Sequence, residues 1–417
     1  MTTQPADRLA LLYHLTQTFN SSLDLGEVLN RVMDEVIRAT RAERGFVMLQ
    51  EEGGELLFKI ARGIDQQSIN EPQFQVSRSV VERVAREGQP ILTSDAQSDA
   101  RFSMRQSVMI LGLRSILCVP LLVKAHNLGA IYVDNRMQAG IFTHSDLELL
   151  TAIASSAAIA IENARLYQVA VEKGRLEREL QVARQVQSSL MPQEMPQAAG
   201  WEFSAHWRPA RQVAGDYYDF IPYPDGSLGL VIGDVTDKGM PAALFMALTR
   251  SFIRASLILA SSPAHGIANA NRLICQDATS GMFVTLFYAL LDPSSGDLTY
   301  VNAGHNPPLL YTAGSNQLRQ LRRTGMALGV EMETSFEQQT LRLHPGDFIL
   351  LYTDGVTEAI DENEQEFGME RLQSVLLENR SATAGRILEL LEQSLIRFTG
   401  PTLPFDDVTL LIAKRQP

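Results

Sequence analysis

Four aspartates in the second half of the chain each lie at the edge of a short apolar run, where a strand is expected to begin or end. Their settings are Ala214-Gly215-Asp216-Tyr217, Val231-Ile232-Gly233-Asp234-Val235, Leu351-Tyr352-Thr353-Asp354-Gly355 and Phe405-Asp406-Asp407-Val408. Carboxylates that converge repel one another, so their convergence would require cations. Carboxylate oxygens are hard ligands that suit Mg²⁺ or Mn²⁺. The pattern therefore favours a two-metal hydrolytic site.

Two such ions about 3.5–4 Å apart can share a bridging water and make it hydroxide-like near neutral pH. They also hold a phosphoryl group in line for attack. No Ser-His-Asp or cysteine-based catalytic pattern stands out in the second half of the chain. We therefore assign no protein nucleophile and expect metal-activated water to attack.

The composition is that of a globular protein with two or three domains. The 417 residues are 45% hydrophobic and 20% charged, with a formal net charge of −12. This acidic balance argues against a nucleic-acid or anionic-membrane partner. Cys118 and Cys275 offer neither a disulfide framework nor a zinc pattern. Without a signal-peptide core or a run of about 18 apolar residues, we expect a cytoplasmic protein that does not enter a membrane.

The first half of the chain mixes helix and strand patterns. Helical spacing of apolar residues covers two segments within 6–40, then 79–86 and 145–167, and strand patterns cover 45–49, 56–60, 115–123 and 128–133. After an N-terminal helix (1–23), this layout resembles a GAF domain over residues 24–166. The resemblance is carried by 114–121, 129–135 and 142–146. It implies a sheet flanked by helices that senses a small ligand or signal of unknown identity, and we interpret Cys118 as core packing.

A linker helix is predicted over residues 167–195. A narrow apolar stripe runs through Leu166, Val169, Leu176, Leu180, Ala183, Val186 and Leu190, with charges on the other faces. This spacing is typical of a two-stranded coiled coil, and the alternative is a helix packed on its own domain. Because the stripe lies between two domains, we favour the coiled coil and a homodimer. Pro192 and Pro196 would end the helix.

The third part of the chain, residues 196–417, predicts strands and helices of an α+β sandwich. It resembles the type-2C (PPM) metal-dependent protein phosphatases, and more closely their bacterial SpoIIE/RsbU-type branch, over about residues 175–415. Five blocks in family order carry the resemblance: 215–219, 233–244, 302–308, 352–359 and 406–411. The expected fold is thus α+β and multidomain, with a GAF domain, a coiled-coil linker and a PPM-type α-β-β-α sandwich.

The resemblance implies roles for individual residues. Asp216, Asp234, Asp354, Asp406 and the backbone carbonyl of Val235 would hold two Mn²⁺ or Mg²⁺ ions. Asp407 and Asp219 rank lower, Asp219 being better interpreted as a supporting or strand-edge residue. Asp237 is interpreted as a solvated loop charge.

His305 follows a strand in Gly304-His305-Asn306-Pro307-Pro308. It could serve as a general acid, but a turn residue that shapes a corner near the site is the favoured interpretation. The arginine that binds phosphate in eukaryotic relatives has no secure equivalent, although Arg208 and Arg211 lie nearby in the sequence.

Together these features predict a signal-regulated, metal-dependent phosphatase of phosphoserine and phosphothreonine in proteins. By resemblance, its substrate is an anti-sigma-factor antagonist of the STAS type. The alternative is a catalytically silent sensor that uses the phosphatase fold to hold a partner. A two-metal nuclease would need a basic groove or aromatic side chains that stack on bases. The acidic net charge of the chain disfavours this function.

Overall fold

The computed structural model describes residues 5–417 except 52, 64, 66, 68, 70–75, 97–98, 100–111, 125, 279–280 and 402–405. The chain divides into two compact units, Met1–Leu176 and Glu177–Pro417. The multidomain α+β organisation predicted from the sequence is confirmed.

The first unit is built on one antiparallel sheet flanked by helices. Its elements are α1 (Pro5–Phe19), α2 (Leu25–Thr40), β1 (Arg44–Gln50), β2 (Leu56–Gly63), α3 (Arg78–Glu87), β3 (Ile91–Thr93), β4 (Ser115–Val123), β5 (His126–Asn135) and the start of α4 (His144–Leu190). The described strands pair in the order β2-β1-β5-β4-β3. Strands β4 and β5, which match two of the predicted strand segments, pair with each other at the centre of the sheet.

Both faces of this sheet are buried. Along β4, Leu117 and Val119 pack with α1, α2 and α4, whereas Ile116 and Cys118 face the opposite side towards α3. Successive strand residues point to opposite faces, so one continuous apolar run fills two cores. Cys118 is fully buried, and burial raises the pKa of its thiol, in line with a packing role.

Helix α4 continues without a break over 47 residues. Its first part contributes Leu150, Ile153 and Ile161 to the core of the first unit. Farther along, several apolar side chains are exposed: Leu166, Val169, Leu176, Val182 and Val186. The last turn differs, because Leu190 packs against the core of the second unit.

The second unit contains two further antiparallel sheets. Its elements are β6 (Trp201–Arg208), β7 (Tyr217–Pro222), β8 (Leu228–Val235), α5 (Met240–Ile258), α6 (Pro263–Asp277), β9 (Val284–Leu291), β10 (Asp297–Ala303), β11 (Leu309–Thr312), β12 (Gln317–Gln320), β13 (Gln339–Arg342), β14 (Phe348–Tyr352), α7 (Asp354–Thr357), α8 (Gly368–Glu378), α9 (Ala384–Thr399) and β15 (Val408–Arg415). The described strands pair in the orders β13-β10-β9-β8-β7 and β12-β11-β14-β15-β6.

The two sheets pack face to face, with helices outside. In β14, Ile349 and Leu351 join the core shared with the other sheet, while Phe348 and Leu350 join the core under α8 and α9. Helices α5 and α6 cover the outer face of the first sheet. Alternation along a buried strand thus places one residue in each of two cores, and the predicted α-β-β-α sandwich is confirmed.

Two helices among the described residues, α4 and α5, are long and apolar enough to span a membrane by length and composition alone. In each, 44% of the apolar window is buried inside the protein. Core helices pass the same test, and the buried faces of α4 and α5 belong to the cores described above.

Candidate metal centre

Asp216 precedes β7 and is almost completely buried, at 2% exposure. Its Oδ2 accepts hydrogen bonds from Thr353 Oγ1 and from Thr409 Oγ1, each 2.7 Å long. These hydroxyls come from the end of β14 and from β15, in the other sheet of the sandwich. They hold this oxygen of the carboxylate in place from the opposite sheet.

Asp234 lies at the end of β8, next to Val235. A Cβ atom on Gly215 would lie 2.9 Å from the carbonyl oxygen of Val235, so only glycine lets the Asp216 segment approach this carbonyl closely. The structure thereby brings Asp216, Asp234 and the Val235 carbonyl to one edge of the sandwich.

Asp354 opens the short helix α7, directly after β14. The next residue, Gly355, packs against the backbone of Asp407 and Asp406, where a Cβ would collide. This close contact brings Asp354 beside Asp406. Oδ2 of Asp406 forms a 2.8 Å ion pair with Lys238 Nζ, in the loop between β8 and α5.

Burial and mutual repulsion raise the pKa values of three of these carboxylates. Burial raises the pKa of Asp234 to about 7, with Asp354 and Asp406 adding to the rise. Burial followed by Asp234 raises the pKa of Asp216 well above its usual range, and burial with Asp406 raises that of Asp354. Such a cluster takes up positive charge, either as protons or as cations.

Within the residues that the structure describes, no three His, Cys, Asp or Glu side chains are already drawn together as a complete ligand set. The neighbouring acids still fit hard divalent cations, because their donors are oxygens and each destabilises the charge of the others. Asp216, Asp234, Asp354 and Asp406 would hold such ions, with the Val235 carbonyl as a further oxygen donor.

Asp407 supports the backbone around the centre. Its Oδ1 accepts a 2.7 Å hydrogen bond from the amide of Ala210, and its Oδ2 accepts one of 2.9 Å from the amide of Gly215. Both carboxylate oxygens therefore hold the loop that carries Asp216.

The structure surrounds Asp219 with cations rather than acids. Its side chain, 1% exposed, pairs with Arg254 Nε at 2.6 Å and with Arg250 Nε at 3.1 Å. The two arginines lie on α5 and Asp219 lies on β7, so this cluster fastens helix to sheet. The sequence analysis interpreted Asp219 as a supporting or strand-edge residue, and these contacts give that interpretation a physical form.

His305 is buried and neutral. Its Nδ1 lies 2.8 Å from Thr285 Oγ1, on the residue of β9 that pairs with Asp234. Burial lowers the pKa of His305 to about 4. The side chain thus contacts the strand next to the one that carries Asp234.

Four contributors to the site had no role in the sequence analysis: Thr353, Thr409, Lys238 and Glu358. Each lies within one to four residues of a predicted ligand, but a threonine beside a strand end is ordinary and proximity alone gives no role. The fold brings Glu358 close to Asp354, and burial and then Asp354 raise the pKa of the Glu358 carboxyl.

Comparison with known families supports the two-part organisation. Residues 224–416 match the family model described as Stage II sporulation protein E (SpoIIE), and residues 22–162 match the GAF domain model.

Two curated proteins are similar over more than half of the chain. Phosphoserine phosphatase RsbU of Bacillus subtilis is 32% identical over 240 residues, which cover 57% of this chain and 70% of that protein. Protein IcfG of Synechocystis sp. is 34% identical over 264 residues, which cover 57% of this chain but only 41% of that protein.

Among solved structures, the SiaA-PP2C domain of Pseudomonas aeruginosa aligns with a TM-score of 0.53 and 20% identity. The alignment covers 60% of this chain and all of that domain. At this identity, the similarity supports the fold alone.

Proposed function

Because the chain belongs to the SpoIIE-type PP2C family of serine/threonine phosphatases, we propose that it hydrolyses phosphoserine and phosphothreonine in a protein substrate with the help of two Mn²⁺ or Mg²⁺ ions. The observation that carries this proposal is the acidic cluster, in which Asp216, Asp234, Asp354 and Asp406 approach from four separate segments and the pKa values of Asp216, Asp234 and Asp354 are raised.

The residues of the chain prepare the reaction by orientation and charge. Thr353 and Thr409 hold one oxygen of Asp216, and Asp407 holds the preceding backbone. Divalent ions bound by these carboxylates would supply Lewis-acid chemistry, lowering the pKa of a bound water and balancing the charge of the phosphoryl group. No hydroxyl or thiol of the chain then needs to act as nucleophile.

Lys238 is the candidate cation for the entering phosphate. Its ammonium lies against Asp406 and stabilises the ionised form of Asp354. An anionic substrate that enters beside Asp406 would meet this same ammonium. This assignment would fill the role for which Arg208 and Arg211 were considered.

We propose that the first unit regulates the phosphatase. The predicted boundaries stay 24–166 for the sensor, 167–195 for the linker and 196–417 for the phosphatase. A cavity of about 660 Å³ lies beside β2 and α3, a volume suited to a small ligand. Its lining combines apolar Met48, Phe58 and Val81 with charged Lys59 and Arg78. Such a cavity supports a small, polar ligand as the signal.

For the substrate, we propose a phosphorylated STAS-type anti-sigma-factor antagonist in the cytoplasm. Support comes from the resemblance to the RsbU-type branch and from the phosphoserine phosphatase named above. A homodimer joined through the exposed stripe of α4 completes the proposal, since exposed apolar residues at heptad-like spacing favour a second helix.

A substrate panel tests this function. The full chain is assayed with Mn²⁺, Mg²⁺ or EDTA on p-nitrophenyl phosphate, a phosphoserine peptide, a phosphothreonine peptide and bis(p-nitrophenyl) phosphate. We expect metal-dependent turnover of the monoesters and none of the diester. A preference for the diester would indicate a phosphodiesterase, and the absence of all turnover with either metal would indicate a silent binding module.

A further inference from the structure

We propose that Gln187, near the end of α4, is a positioning residue that ties the linker helix to the backbone of the metal centre. This inference rests on the proposed metal-dependent function. It assigns to one side chain the physical connection between the helix and the segment that carries Asp216.

The side-chain amide of Gln187 forms two hydrogen bonds with a single residue. Its Nε2 donates to the carbonyl oxygen of Ala214 at 2.7 Å, and its Oε1 accepts from the amide of Ala214 at 3.0 Å. Gln187 is 4% exposed and Ala214 is fully buried. This reciprocal pairing satisfies both backbone groups of Ala214, which forms no ladder pair with a strand among the described residues.

Ala214 lies two residues before Asp216, and three side chains hold this short segment. Gln187 holds Ala214, Asp407 holds the amide of Gly215, and Trp207 Nε1 donates to the carbonyl of Asp216 at 3.0 Å. Asp407 and Trp207 belong to the sheet region of the sandwich. Gln187 belongs to the linker helix. A movement of that helix would therefore act on the segment through the hydrogen bonds of the Gln187 amide.

The position of Gln187 in the helix repeat strengthens the connection. Leu166, Lys173, Leu180 and Gln187 are spaced seven residues apart, so they share one line along a supercoiled helix. Leu166 is exposed, whereas Gln187 is buried against Ala214. The helix positions that would face a second helix therefore include Gln187, which contacts the segment before Asp216.

Geometry makes this contact sensitive to helix rotation. Neighbouring residues of an α-helix are about 100° apart around its axis, from 3.6 residues per turn. Both hydrogen bonds need the amide plane to face the backbone of Ala214, so a partial turn of α4 breaks the pair. The unpaired groups of Ala214 would then shift the Asp216 segment to find new partners.

The test uses the full chain with Gln187→Met, which keeps the length of the side chain but removes both hydrogen bonds. The matched control is Gln193→Met, because the Gln193 amide binds only the local carbonyls of Ser188 and Met191 among the described residues. Binding of Mn²⁺ alone is measured by calorimetry, thermal unfolding is measured in EDTA, and kcat and KM are measured at saturating Mn²⁺.

We expect Gln187→Met to weaken Mn²⁺ binding roughly tenfold to a hundredfold, as for other residues that orient metal ligands. In EDTA, the midpoint of unfolding of Gln187→Met should fall only slightly, less than expected if the loss of Mn²⁺ affinity came from a loss of fold. KM for the substrate should not rise. Gln193→Met should bind Mn²⁺ like the unmodified chain. Unchanged Mn²⁺ affinity in Gln187→Met would overturn the positioning role.

Gln187→Glu provides a second variant if Gln187→Met does not fold. It keeps the acceptor for the Ala214 amide and loses the donor to the Ala214 carbonyl, so weaker Mn²⁺ binding is again expected and unchanged binding contradicts the role. Asp234→Asn separates the two proposals. If Asp234→Asn loses Mn²⁺ binding but Gln187→Met does not, only the positioning role fails, whereas unchanged binding in Asp234→Asn overturns the metal centre itself.

Discussion

Thr353 donates a 2.7 Å hydrogen bond from its hydroxyl to Oδ2 of the buried carboxylate of Asp216. Valine has nearly the same shape without the hydroxyl, so Thr353→Val leaves this oxygen with Thr409 as its remaining hydroxyl donor. We expect Mn²⁺ affinity to fall roughly tenfold or more and stability to fall by about 1 kcal/mol. Mn²⁺ titration of activity and unfolding in EDTA measure the two effects.

Thr299→Val is the control for this change. Its hydroxyl pairs with Thr340 between β10 and β13, in an exposed position. Equal effects of both substitutions on Mn²⁺ affinity would show that the Thr353 hydroxyl does not orient the metal ligand.

A substitution of Asp219 tests whether this residue fastens the helix that carries Arg250 and Arg254 or binds a metal ion. Asp219→Asn leaves Arg250 and Arg254 without their carboxylate and should destabilise the second unit by roughly 2–3 kcal/mol, less than a fully buried pair because Arg254 is partly exposed. Trp201 and Trp207 are the two tryptophans of the chain, so their fluorescence follows unfolding of this unit. Mn²⁺ affinity of the folded variant should stay unchanged, and a large loss would indicate that Asp219 is a ligand.

The buried His305 predicts a pH dependence of stability. Its folded-state pKa, about 4, lies below the ordinary value of 6.5. The unfolded chain therefore binds this proton more readily, and the contribution of neutral His305 is lost as the pH falls from 6.5 towards 4. The stability difference between the unmodified chain and His305→Gln should narrow by roughly 2 kcal/mol between pH 7 and pH 5. A stability difference that stays constant between these two pH values would contradict this.

The exposed stripe of α4 predicts the oligomeric state. Leu176→Glu places a charge on the stripe at a side chain that is 49% exposed, so the fold should survive while a coiled coil should not. We expect native mass spectrometry to show a dimer for the unmodified chain and a monomer for Leu176→Glu. Leu259→Glu, at an exposed apolar residue outside the stripe, should remain dimeric. A monomeric unmodified chain would remove the basis for the coiled coil.

The sequence predicted most long elements because their apolar periodicity is strong. Helices α2, α3 and α4 and the strands β1, β2, β4 and β5 lie close to their predicted positions. Shorter or mixed strands were not predicted. In β7, the charged Asp219 interrupts the apolar pattern, and its burial is possible only because Arg250 and Arg254 reach it from a distant helix.

The acidic cluster could be predicted because carboxylates beside apolar strands are conspicuous. The residues that support the cluster could not be predicted, because Thr353, Thr409 and Gln187 have no unusual sequence setting. Their roles depend on contacts across wide gaps in the chain, such as Thr409 with Asp216 and Gln187 with Ala214. Short-range patterns carry no information on such pairs.

The most direct test of the account is Mn²⁺-dependent hydrolysis of a phosphoserine peptide by the full chain and by Asp234→Asn. Asparagine keeps the shape of Asp234 while removing its charge from the cluster. We expect the variant to unfold at a similar temperature in EDTA and to lose both Mn²⁺ binding and turnover. Asp225→Asn, in an exposed turn, should retain both. Full Mn²⁺-dependent turnover by Asp234→Asn would contradict the assignment of the acidic cluster as the catalytic metal centre.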